Sequence, residues 1–208
     1  MLEPIPELIF YPKPHRYRYK DKWLLHSVTG IIGHDMSQAK KAAINHYKDG
    51  PKGWAARGAA LHSVLETKLK GENVKEDELW QKWIDPLLDC ELFEDATTLA
   101  TEYSLCDKKK SIGGSFDFLI QRSTGEIVLG DLKTSSSKRA AQQRDSASEQ
   151  LGAYELMLEQ HHPGLLIDTC CTVILGPGIC RVEREKPDKC VEQWREKWSK
   201  FEITQEDW

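Results

Sequence analysis

No stretch of this chain approaches the roughly 18 consecutive apolar residues that a membrane-spanning helix needs. The opening Met1-Leu2-Glu3-Pro4-Ile5-Pro6 lacks the basic and apolar regions of a secretory signal. There is no internal repeat and no low-complexity tract, which excludes a repeat array. The six cysteines (Cys90, Cys106, Cys170, Cys171, Cys180 and Cys190) contain no C-x-x-C pair of the kind that holds zinc. Without a secretory context they are expected to be free thiols in or near the core rather than a disulfide framework. Positive charge is not in excess either: the net charge of −4 argues against a general polyanion binder. These absences together predict an intracellular, cytoplasmic protein without a membrane partner.

What is present describes a folded domain. At 208 residues, 39% hydrophobic and 30% charged, the chain suits one domain with embellishments. Its charge is unevenly spread. Residues 1–57 hold ten Lys/Arg against five Asp/Glu, whereas residues 66–102 hold eleven acids against four lysines. A basic arm beside an acidic site is compatible with nucleic acid, and so are two solvated faces.

The pattern along the chain predicts an α/β protein. Residues 15–32 suit a β-hairpin, with Arg16-Tyr17-Arg18-Tyr19 alternating, Lys20-Asp21-Lys22 turning and Trp23 to Thr29 returning. Ser37 caps a helix to about His46, stopped by Gly50-Pro51. A second helix covers about 53–70, with Trp54, Leu61, Leu65 and Leu69 on one stripe and Gly71 at its end. A third covers about 76–94, with Trp80, Trp83, Ile84 and Leu87 inward. Strands follow at about 98–106, 112–121 and 126–134, then a helix at 145–160, strands at 168–175 and 179–184, and a helix at 188–200. The expectation is a central mixed β-sheet flanked by helices, with an N-terminal hairpin and helical region over 1–95 and a core over 96–208, packed as one unit.

Several short pieces carry chemistry. In Ile127-Val128-Leu129-Gly130-Asp131-Leu132-Lys133-Thr134, alternation places Asp131 and Lys133 on the face of Ile127 and Leu129. Two opposite charges on an otherwise apolar strand are costly to bury unless compensated, by a cation on Asp131 and a water or phosphate on Lys133, or by an ion pair at the strand end. Asp117 is a lone acid in the preceding strand, and a short turn at Ser123-Thr124-Gly125 can bring it close to Asp131. Paired carboxylates repel, so they favour a divalent cation between them. Gly113-Gly114 implies a close approach of backbone or ligand. His62 and Glu66 share a helical face. Glu102 is placed at the opening of the first core strand. Gln150 and Tyr154, four apart on the following helix, can contact phosphate or sugar.

In this order Gly58…His62, Glu102, Gly114…Asp117, Asp131-Leu132-Lys133 and Gln150…Tyr154 resemble the motifs of the PD-(D/E)xK nuclease superfamily, in its RecB-like branch. The resemblance covers about residues 57–154, with Ala59 where the family usually has Thr. Ser27-Val28-Thr29-Gly30-Ile31-Ile32 looks like an element of the group that includes the mitochondrial genome maintenance exonuclease and related phage and bacterial proteins. The resemblance implies a restriction-endonuclease-like core and a metal-dependent exonuclease acting on single-stranded DNA ends, alongside replication or recombination proteins. It implies Mg²⁺ or Mn²⁺ held by His62, Asp117, Asp131 and the Leu132 carbonyl, with Glu102 as the superfamily's further acid. Lys133 would act on the attacking water, and Gln150 and Tyr154 would position the strand. Arg57, Arg139 and Arg144 are candidate phosphate contacts on charge and location. The iron–sulfur cluster of CRISPR-associated relatives is not expected, because no Cys precedes Cys90 and the late spacings differ. A structure-specific endonuclease and a non-catalytic nucleic-acid module of the same fold stand as alternatives. Tyr11, Tyr17, Tyr19 and Trp23 interleave with Lys13, Arg16, Arg18 and Lys22. That mixture fits either a stacking surface for single strands or a plain amphipathic hairpin.

Overall fold

The computed structural model describes residues 1–50 and 53–206. Strands β1 (Leu8–Tyr11), β2 (Arg16–Tyr19) and β3 (Lys22–Trp23) form an antiparallel three-stranded sheet. The expected hairpin is there, with two differences. It gains β1 as a partner for β2, and its return strand ends after two residues. The chain then crosses to β4 (His26–Ser27), a strand of a second sheet. The Ser27 hydroxyl accepts from the Gly30 N–H and so caps helix α1 (Val28–Ile32), which turns these residues helical instead of extending the hairpin. Ser37 caps α2 (Gln38–His46) in the same way. Gly50 follows in a left-handed conformation; Pro51, the other half of the expected stop, lies outside the described residues.

Helix α3 (Trp54–Leu69) buries Leu61 and Leu65, as its stripe predicts, and Gly71 follows at φ 72°. Trp54 leaves that stripe: its ring is exposed and Nε1 donates to the Ile44 carbonyl at 2.8 Å. The third helix is shorter than its pattern predicts. α4 (Gln81–Leu88) contains Pro86, which has no N–H to donate to the Lys82 carbonyl four residues back. The Gly178 N–H, from a turn far along the chain, takes that place at 2.7 Å. Pro86 thus leaves free the acceptor that fastens α4 to the sheet. Trp80, Ile84 and Leu87 are buried, and a 3₁₀ turn at Glu91–Phe93 follows.

Then come β5 (Thr97–Asp107), β6 (Ile112–Gln121), β7 (Ile127–Thr134), α5 (Lys138–Gln142), α6 (Ser148–His161), β8 (Thr169–Gly176), β9 (Ile179–Glu185) and α7 (Pro187–Glu206). The sequence pattern gives no sign of α5 and ends α7 too early. The second sheet runs β4-β6-β7-β8-β9, with β5 along β6 as well. Pairs β4–β6 and β7–β8 are parallel and the rest antiparallel. This is a mixed α/β fold: a central mixed sheet flanked by helices, with an antiparallel hairpin region at its N-terminus. One face packs Leu119 and Leu129 with Leu151, Tyr154 and Trp194 of α6 and α7; the other packs Phe118, Val128 and Leu132 with Leu61, Leu65 and Ile84 of α3 and α4. Among the described residues no helix is long and apolar enough to cross a membrane.

The sheet opens at one place. β7 pairs with β6 only along Phe118–Gln121, and β4 pairs with it only along Ile112–Gly113. Since β5 lies along the whole of β6, β4 and β7 share its other edge, and residues 114–117 sit in the fork between them. The side-chain alternation of β6 also switches here: Phe116 and Leu119, three apart, enter the same core cluster, while Phe118 and Ile120 enter the opposite one. On the adjacent strand Glu102 has φ 46°, a left-handed conformation that makes the matching switch. Phe118 can lie flat over β7 because its partner is Gly130; a Cβ at that position would enter the Phe118 ring.

Two outcomes follow from the α6–α7 contact. A Cβ on Gly152 would collide with the Cys190 carbonyl group. Gly152→Ala, favourable for an isolated helix, is therefore expected to destabilise the protein by about 1–2 kcal/mol in urea unfolding. Burial, helped by Asp188 and Glu159 and opposed by Arg195, pushes the Glu155 carboxyl up to about 7. The folded state then holds this proton more tightly than the unfolded chain, so its share of stability falls as pH rises from the ordinary carboxylate range to about 7. Glu155→Gln is expected to melt above the parent at pH 8 and to lose that advantage near pH 4, by calorimetry at both values.

Candidate metal centre

His62, Glu102 and Asp117 reach one point from three elements. His62 follows the buried Leu61 on α3 and so stands at the rim of the helix–sheet interface. Its Nδ1 lies 3.2 Å from Glu102 Oε1 and 3.2 Å from Asp117 Oδ1. The left-handed turn at Glu102, in the middle of β5 rather than at its opening, directs that side chain here. The three residues offer ligand atoms within 4.8 Å of one another, and the group can hold a metal ion. Burial works against a charged imidazole, but the hydrogen bonds and charges of Asp117 and Glu102 outweigh it and carry His62 up to about 10. Glu66, on the same helix, pairs instead with Lys70 at 2.7 Å.

A second group adjoins the first across the fork. Asp117 Oδ2 accepts from the Leu132 N–H, a donor that β6 no longer pairs. Leu132 thus meets Asp117 through its N–H. On either side of Leu132, Asp131 Oδ2 lies 2.7 Å from Lys133 Nζ. Gln150 binds both: its Nε2 donates to Asp131 Oδ1 at 2.7 Å and its Oε1 accepts from Lys133 at 2.8 Å. The same Nε2 donates to the Tyr154 hydroxyl at 2.9 Å, so Tyr154 fixes the amide from behind. Burial raises the Asp131 carboxyl to about 6, with Lys133 and His62 opposing and Asp117 adding to the rise. Although close to Lys133, Asp131 Oδ2 has no aligned hydrogen bond and is fully buried. The imidazole nitrogen and two carboxylate oxygens of His62, Glu102 and Asp117 suit a divalent cation; Asp131 stands outside that group, its Oδ2 turned to Lys133.

The three arginines separate. Arg57 is 6% exposed, and its Nε donates to Thr134 Oγ1 at 3.3 Å. Arg144 donates to the Thr134 carbonyl at 2.9 Å. Burial lowers both guanidinium pKa values; Arg144 lowers that of Arg57 further, and Asp131 partly offsets the drop in Arg144. Neither pairs with a carboxylate among the described residues. Arg139 is exposed on α5 and joins neither group. Thr134, next after Lys133, is the residue the motif reading missed; its place as the first polar residue after the charged pair is its only signal. Tyr17 is a second omission. It is buried, its hydroxyl meets Ser115 Oγ at 3.1 Å, and it feels the charges of Glu102 and Asp117.

No protein-family model and no curated protein matches the chain. Among solved structures, the crystal structure of SSO0001 is similar at a TM-score of 0.45 with 18% identity, covering 83% of this chain and 74% of that one. Nothing about function follows from so distant a likeness.

Asp117→Asn is expected to lower the affinity for Mn²⁺ at least tenfold (about 1.4 kcal/mol) in a calorimetric titration, and Glu102→Gln to lower it in the same direction. Affinities equal to the parent's in both variants would remove the metal assignment.

Proposed function

We propose that this chain is a metal-dependent deoxyribonuclease of the RecB-like branch of the PD-(D/E)xK superfamily, an exonuclease that hydrolyses single-stranded DNA from free ends in replication, repair or recombination. The observation that carries the reading is the pairing of two groups across the fork: donors for a cation at His62, Glu102 and Asp117, and an amine, Lys133, held next to them by Asp131 and Gln150. The ordered motifs that resemble the family contribute to both groups.

Held by His62, Glu102 and Asp117, a divalent cation such as Mg²⁺ or Mn²⁺ would supply positive charge to a phosphodiester and lower the pKa of water. The chain's own residues supply the rest. Asp117 spends one oxygen on the Leu132 N–H and keeps the other toward His62, so its charge is fixed in direction. Gln150 immobilises the Lys133 amine, which then holds or moves the proton of an attacking water and faces the anionic phosphate. Arg57 and Arg144 flank Thr134 with two guanidinium groups that lack carboxylate partners among the described residues, which suits them to the phosphates of a strand.

Lys133→Ala is expected to lose cleavage of end-labelled single-stranded DNA in Mn²⁺ by at least about 100-fold while melting near the parent temperature. A variant with near-parental turnover would overturn the role of Lys133. Circular single strands assayed in parallel separate an exonuclease, which leaves them intact, from an endonuclease, which opens them. A parent protein that binds Mn²⁺ and DNA but cleaves neither substrate would identify a binding module instead.

A further inference from the structure

The three-stranded sheet has two unlike faces, and its register assigns each residue to one of them. Ile9 pairs with Arg18, Tyr11 with Arg16, and Arg18 with Trp23. Ile9, Tyr11, Arg16, Arg18 and Trp23 therefore share one face, while Leu8, Phe10, Tyr17 and Tyr19 share the other. The second face packs inward: Tyr17 is buried in a cluster with Leu24 and Cys106, and Phe10 stacks on it at 4.7 Å. This corrects the even-handed treatment of the four aromatics in the sequence. Tyr17 and Tyr19 serve the core, and only Tyr11 and Trp23 face outward.

The outward face is built as a ladder of rings and cations. Tyr11 and Trp23 lie 4.9 Å apart, the Arg16 guanidinium sits 4.9 Å from the Trp23 ring, and that of Arg18 lies 5.8 Å from the Tyr11 ring. Trp23 and Ile9 are each 42% exposed. Arg18 Nε has no hydrogen-bond partner, and neither Arg16 nor Arg18 meets a carboxylate among the described residues. Between Leu8 and Trp23 there are five Lys or Arg and a single acid, Asp21. A face that joins unneutralised guanidinium groups to flat rings, Trp23 exposed and Tyr11 half-buried, complements a polyanion whose own flat surfaces are free. Duplex bases are stacked within the helix and cannot offer those surfaces, whereas single-strand bases can. The platform is also tied to the metal centre, since inward-facing Tyr17 bonds Ser115 on β6, two residues from Asp117.

We propose that the outer face of this sheet is a binding platform for single-stranded DNA, with bases stacking on Tyr11 and Trp23 and phosphates meeting Arg16 and Arg18. The proposal deepens the nuclease reading and rests on it for the nature of the strand.

The test uses the full chain without metal and a dye-labelled oligothymidylate followed by fluorescence anisotropy. The double variant Tyr11→Ala/Trp23→Ala is expected to bind about tenfold or more weakly. Tyr11→Phe/Trp23→Phe, which keeps two rings, is expected to hold parental affinity and so controls for folding. Arg16→Ala/Arg18→Ala is expected to flatten the dependence of log affinity on log salt by about 1.4, since each single-strand phosphate contact contributes about 0.7. All variants should keep the parent's Mn²⁺ affinity. Unchanged affinity and salt slope in both alanine doubles overturn the platform, as does a parent that binds no oligothymidylate. Binding that depends on these residues in a parent that cleaves nothing supports the platform and sinks the nuclease reading. Cleavage that ignores them does the reverse.

Discussion

Asp117 bridges the gap where two strands part, and the candidate metal centre depends on that bridge. β7 follows β6 as far as Phe118 and Gly130 and then parts from it, while staying paired with β8 on its other edge from Val128 to Thr134. The divergence strands the Leu132 N–H in a buried place, where an unmade hydrogen bond costs about 1–3 kcal/mol. Asp117 Oδ2 satisfies it. The carboxylate is thereby held in the fork with its second oxygen aimed at α3, and His62 and Glu102 assemble around that oxygen. One break in a β-ladder thus fixes a backbone donor, a charge and the direction of that charge.

The neighbouring Asp131–Lys133 pair is harder to explain as a device for stability. Burial, with Asp117 adding to it, pushes the Asp131 carboxyl upward, and both members of the pair bond Gln150, which Tyr154 holds in turn. Buried ion pairs of this kind are often replaced by apolar residues without loss, and sometimes with a gain of about 1–4 kcal/mol. A fold that needed only a packed strand end could use valine or leucine, as positions 128 and 132 do on the opposite face. Four polar side chains held in one orientation suit chemistry better than packing, which is why the nuclease reading begins from them.

Much of this is legible in the sequence. Period-two alternation located β5 to β9 within a residue or two, and it placed Asp131 and Lys133 on the face opposite Val128 and Leu132. Gly113-Gly114 signals a close approach, but what approaches is the rings of Tyr17 and Tyr154 rather than backbone or ligand. The features that escaped depend on distant parts of the chain. A two-residue strand such as β4 exists only because β6 offers it an open edge. The length of α4 is decided by Pro86 and stabilised by the remote Gly178. Glu102 carries a positive φ that no local rule assigns to a glutamate. Alternation in the hairpin revealed two faces but not which one is buried, because β1 and the core had first to cover Tyr17.

Charge counting along the chain was the least faithful guide, for a reason the fold makes plain. Residues 66–102 are the acidic stretch, yet of its eleven acids only Glu102 joins the centre, while Glu66, for one, forms a surface pair with Lys70. The centre's other carboxylate, Asp117, and Asp131 of the adjoining group lie beyond that stretch, on strands that are otherwise mostly apolar. The excess basic charge of residues 1–57 divides in the same way. Arg57 goes into the interior beside Thr134, whereas Arg16 and Arg18 go to the outer sheet face, a chain crossing away. A site gathers its charge across the sheet, from residues that stand alone in their own segments. A lone acid amid apolar neighbours is therefore a better marker of the centre than a run of acids in solvent, because only the lone acid had to be compensated when the strand was buried.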